Sequence, residues 1–158
     1  MKISSIKRDV DKVFDKKEAV LHSDITGKDY KVVIDKKFKK SKITALFTSM
    51  MERAEACRKN DVIFDFALCQ WCMIISYFTD LQFDKGKDVL STYLKEIKGM
   101  ETLIDIEVLD LLISEFDESE MLKLQEVGKV LGKFTRKMHD IEVDQLVDDI
   151  VGDEVGTV

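Results

Sequence analysis

The residues most able to do chemistry lie in two short runs. CQWC, Cys69 to Cys72, has the two-residue spacing of both zinc and redox motifs. A structural zinc site needs four ligands, and the remaining candidates, Cys57, His22 and His139, form no second pair at ligand spacing. A redox pair would sit exposed at a helix start, whereas this one lies inside FALCQWCMIISYFT, the most apolar stretch of the chain. The three cysteines therefore read as reduced, buried small hydrophobes.

The other run is basic. Lys36, Lys37, Lys39, Lys40 and Lys42 surround Phe38. Each lysine could neutralise a phosphate, and an aromatic among them could stack on a base. Phe38 also falls just before Ser41, a candidate helix cap, where an apolar residue packs back onto the first turns. The overall balance is acidic, with a net charge of -6 and pI ≈ 5.0, which argues against nucleic acid as the main partner.

Neither histidine has a nucleophile with an oriented base near it in sequence, so His22 and His139 read as surface or capping residues. There is no Gly-rich phosphate loop, no helical HExxH and no calcium loop, and adjacent acids such as Asp148 and Asp149 point apart on a helix. The expectation is a protein with no catalytic site, no cofactor and no metal.

These runs need elements to carry them. At 158 residues and 18.2 kDa, 45% hydrophobic and 35% charged, the chain has material for one core beneath a charged surface. It has no proline, so long helices meet no breaker. Ile3, Ile6, Val10, Val13 and Phe14 suit a short amphipathic helix within residues 1–18, although the same stretch could begin with a strand. Residues 19–35 hold two β-prone runs flanking Thr26-Gly27-Lys28, and Tyr30, Val32 and Ile34 alternate with Lys31, Val33 and Asp35, which predicts a β-hairpin.

Helical spacing then recurs. Ile43, Leu46, Phe47, Met50, Ala54 and Cys57 predict a helix from Ser41 to near Asn60. A central, buried helix is expected over about 61–79, capped by Asp61. Val89 to Ile97 predicts another, stopped by Gly99, and Leu103 to Phe116 is a further apolar segment. Ser119 opens a helix that carries Leu122 to Met138.

The fold class expected is thus mostly α: a helical bundle around a buried central helix, with a small N-terminal β-hairpin. Residues 1–139 form one domain, and 140–158 an acidic C-terminal tail, partly helical or disordered. Charge follows that division. Residues 1–59 hold sixteen Lys or Arg against nine Asp or Glu, while 140–158 hold seven acids and no base. The apolar stretch Phe66–Thr79 is too short to cross a bilayer, and the N-terminus lacks a signal-peptide pattern, so a cytoplasmic protein is expected.

The run YKVVIDKKFKKSKITALF, Tyr30 to Phe47, followed by a helical remainder containing IISYFTDLQF, resembles tail assembly chaperones of long-tailed bacteriophages that infect Firmicutes. The resemblance spans about residues 19–139 and carries no catalytic residue. It implies a non-enzymatic protein in the host cytoplasm that coats the tape-measure protein, leaves as tail-tube subunits polymerise, and self-associates as a homo-oligomer. The candidate partner-binding residues are Tyr30, Lys36, Lys37, Phe38, Lys39, Lys40, Lys42, Leu146 and Ile150. The alternative is a small nucleic-acid-binding regulator using Lys36–Lys42.

Overall fold

The computed structural model describes residues 1–132. Leu146, Ile150 and the acidic segment expected over 140–158 lie outside the described residues. The chain divides into two compact units, Met1–Leu122 and Lys123–Val158. In the second, residues 123–132 are helical.

The first unit is mostly helical with one small sheet. Its order is α1 (Ile3–Val13), β1 (Lys16–His22), β2 (Asp29–Asp35), α2 (Lys40–Lys59), α3 (Phe66–Phe78), α4 (Val89–Asp105) and α5 (Leu109–Ser114), after which residues 118–122 are helical. β1 and β2 pair antiparallel from Lys16↔Asp35 to His22↔Asp29. Gly27, at φ 68°, takes the left-handed conformation that the connecting turn requires. One hairpin face buries Ala19, Leu21, Val32 and Ile34, the period-two pattern expected.

β1 starts three residues before the expected hairpin boundary. Lys16, Lys17 and Glu18 pair with Asp35, Ile34 and Val33, but their charged side chains hide the alternation on which a sequence reading depends. The N-terminal helix accordingly ends at Val13, and none of its residues is buried.

α3 is the central helix, packing against both α2 and α4. It buries Cys69, Cys72, Met73, Ile74, Ile75 and Phe78. Its start corrects the expected cap: Asp61 sits at φ 52° in the turn that ends α2, and Asp65 Oδ1 instead accepts Leu68 N–H at 3.0 Å. Phe66, in the first turn of α3, is 59% exposed, so this helix is not enclosed on every side.

Three further boundaries differ from expectation. Lys39, not Ser41, is the N-cap of α2, and it makes no side-chain capping bond. Gly99 does not stop a helix. It lies within α4, where an added Cβ would come 2.5 Å from Phe83 Cδ1, so glycine is what lets the Phe83 ring approach the backbone. Asp117, two residues before Ser119, accepts that serine's N–H and hydroxyl at 3.0 and 2.9 Å, and the helix begins at residue 118.

Candidate functional site

The basic segment is divided by the fold. Phe38 is fully buried, its ring stacked on Phe78 with centroids 3.8 Å apart and set edge-on to Phe116 at 5.9 Å. Its backbone N–H donates to Glu120 Oε2 at 3.2 Å. As a partner-binding residue Phe38 is therefore corrected. The turn from β2 into α2 drives its ring under the bundle, where burial outweighs any gain from a surface contact.

Lys42 is half-buried as well. Its ammonium donates to Asp35 Oδ2 at 2.9 Å and to Tyr77 O at 3.1 Å, which ties α2 to β2 and α3. Lys36 pairs with Asp15 at 3.3 Å, and the Lys39 ammonium stands 5.5 Å from the Phe14 ring centroid. Lys37 and Lys40 are exposed. Tyr30 is half-buried, with its hydroxyl donating to Thr26 Oγ1 at 3.1 Å.

CQWC is buried. Desolvation raises the Cys69 thiol from its ordinary 9.0 to about 12 and raises Cys72 further, so neither is a thiolate at neutral pH. Among the described residues no group of three His, Cys, Asp or Glu is placed to hold a metal ion.

Beside these thiols lies a feature the sequence reading missed. Arg53 of α2 and Glu96 of α4 form a two-pronged ion pair, Nε to Oε1 at 2.6 Å and Nη2 to Oε2 at 3.0 Å, while Nη1 donates to Ser49 O at 3.1 Å. Burial works against the Arg53 charge, but the hydrogen bonds and field of Glu96 overcome it and raise the pKa. The pair forms one wall of a cavity of about 660 Å³ between α2, α3, α4 and the segment 81–85, with Tyr77, Met73, Leu81 and Phe83 among the other walls. A signal was present in sequence: Arg53 lies three residues after Met50 and four before Cys57, and Glu96 three after Tyr93 and four before Met100. Both charges occupy core positions of their helical stripes.

The loop before α3 and the first turn of that helix present apolar side chains outward. Ile63 is 92% exposed and Phe66 59%. The loop is pinned from behind, since Asp65 N–H donates to Tyr93 Oη at 2.8 Å and the Phe64 ring lies 5.6 Å from that of Tyr93. Pinning holds Ile63 and Phe66 in water without letting them fold inward, an arrangement that suits a contact surface better than a core.

Among the described residues no helix is long and apolar enough to cross a membrane. The model of the family described as YomO matches residues 3–157, and that name is of the Bacillus phage type, which points to a phage-associated protein. No curated protein and no solved structure matches the chain.

Proposed function

The chain belongs to the YomO family, and we propose that it is a non-enzymatic, protein-binding assembly factor of phage type, a tail assembly chaperone that holds the tape-measure protein during tail-tube assembly. The observation that carries this reading is the pinned entry to α3, with Ile63 of the loop and Phe66 of the helix's first turn facing solvent. A client with long amphipathic helices offers apolar residues every three or four positions, and such faces dock on rigid apolar anchors beside a groove. The cavity walled by Met73, Leu81 and Phe83 on one part and by Arg53, Glu96, Asp84 and Lys85 on another supplies a groove of mixed character on the same unit. The resemblance of Tyr30–Phe47 and the phage-type family name support the same reading.

The test is co-expression with the very long tape-measure protein encoded nearby. The wild type should keep that client soluble and co-purify with it, while the double variant Ile63→Asp, Phe66→Asp stays folded and loses both effects. A client equally soluble without the chaperone, or with the double variant, would sink the proposal. Tight, steeply salt-dependent binding to DNA in a parallel titration would favour the regulator instead.

A further inference from the structure

The hairpin has two edges, and the first unit closes one of them. Beside β2, Asp80 N–H donates to Val33 O at 3.0 Å, Val33 N–H donates to Asp80 Oδ1 at 2.8 Å, and Ile34 bridges to Thr79. On β1, the bonds Ser23 N–H to Lys28 O and Lys36 N–H to Asp15 O set the alternation, so the odd-numbered residues face β2. The backbone groups of Lys16, Glu18, Val20 and His22 face the other way. Among the described residues, those of Glu18, Val20 and His22 meet no hydrogen-bond partner on that side. A lone hairpin is marginal, and an open row of donors and acceptors is a template for another strand.

We propose that β1 pairs antiparallel with β1 of a second copy about a two-fold axis, Val20 facing Val20, and that α1 of each copy docks in a hollow at the far end of the other copy's β1. This gives a surface to the self-association that the resemblance to tail assembly chaperones implies and does not depend on the client.

Charge selects the register. Outward-facing groups meet only when even-numbered residues stand opposite one another. Glu18 on Glu18 repels directly, Lys16 on His22 leaves Glu18 against Val20, and Val20 on His22 brings Glu18 onto Asp24. Val20 on Val20 removes these conflicts. It sets Glu18 opposite His22 and brings Lys16 to Asp24 in the turn, while the exposed valines cover each other.

The same register disposes of α1. Traced backwards from Lys16, the partner strand passes Asp24 and leads directly into that helix. At this end lies a hollow of about 430 Å³ lined by His22, Asp24, Ile104, Glu107, Asp110 and Leu111. Its acids and its exposed Ile104 and Leu111 match what predominates on α1, where Lys7, Arg8 and Lys12 outnumber Asp9 and Asp11 and Ile3, Ile6 and Val13 are unburied. An amphipathic helix with no buried residue among those described thereby gains an apolar seat of opposite net charge.

Sedimentation of the full chain and cysteine cross-linking test this. The wild type should be a dimer at micromolar concentration. Val20→Lys, which puts two ammonium groups on the axis, should be monomeric with unchanged far-UV circular dichroism, and Ile6→Asp should weaken the dimer by about tenfold or more. Facing Cα atoms at the axis stand about 5.5 Å apart, within the roughly 4.4–6.8 Å that a disulfide spans. Val20→Cys should therefore form a covalent dimer with diamide, and Glu18→Cys should not. A monomeric wild type, or a Val20→Lys variant that dimerises as the wild type does, overturns the pairing. Cross-linking through Glu18→Cys in place of Val20→Cys overturns the register, and an Ile6→Asp variant of unchanged affinity overturns the docking of α1. None of these outcomes bears on client solubility, which is read from Ile63 and Phe66.

Discussion

Replacing Phe38 by alanine tests whether that residue belongs to the fold or to a partner. Phe38 is fully buried, stacked on Phe78 and edge-on to Phe116, so its ring joins the approach to α2 to the end of α3 and to the second residue past α5. Removing a buried phenyl ring forfeits roughly 1.5–3 kcal/mol of transfer free energy. Two lost aromatic pairs add about 0.5–1.5 kcal/mol each. Partial collapse of the space returns some of this, which leaves about 3–5 kcal/mol, the usual range for Phe→Ala in a core. For a unit of this size that lowers the midpoint of thermal unfolding by roughly 12–20 °C. Urea unfolding followed by far-UV circular dichroism measures it directly, and an unchanged slope would show that stability alone has moved. Phe38→Leu is the control, because it retains most of the volume and should lose less than about 1.5 kcal/mol. If Phe38→Ala stays within about 1 kcal/mol of wild type, the inward placement of the ring, and the packing derived from it, are wrong.

Glu96→Ala leaves the Arg53 guanidinium without its carboxylate beside the Cys69 and Cys72 thiols. Since Arg53 also borders the open cavity, the loss should be near the lower end of the range for a broken buried pair, about 3 kcal/mol, measured by the same urea titration. The thiols of Cys57, Cys69 and Cys72 should resist a disulfide reagent in the folded protein and all react in urea. Burial raises Cys69 from 9.0 to about 12, so the native state keeps a proton that the unfolded chain releases. The stability this contributes is full below about pH 9 and is lost as pH rises toward about 12, which urea midpoints at successive alkaline pH values would reveal. Gly99→Ala should lower stability despite alanine's better helix propensity, because the new methyl meets the Phe83 ring; a higher melting temperature would contradict this.

Much of the fold was legible because its signals are local. The alternation of Val32 and Ile34 survives in the hairpin, and the spacing of Ile43, Leu46, Met50 and Cys57 survives in α2. Boundaries were less legible where a competing group did the capping, as when Asp65 took the place expected for Asp61, or where charged residues such as Lys16 and Glu18 continued a strand without an apolar pattern. The candidate site was read in part. Lys37 and Lys40 lie at the surface, but Phe38 and Lys42 are held by residues far along the chain. The Arg53–Glu96 pair stood on two core stripes and went unseen, because no local rule joins residues 43 positions apart.

By itself, then, the sequence determined a mostly helical chain with a short hairpin, apolar faces at helical spacing, and thiols embedded in its greasiest segment. These follow from propensity and periodicity, which act over one or two turns. The tertiary structure alone decided that Phe38 turns inward onto Phe78, that two buried charges find each other, that β2 is capped by Asp80 while β1 meets no such cap among the described residues, and that Ile63 is held out in water. Each of these depends on which distant residue occupies the neighbouring space, and that is settled by packing the helices together.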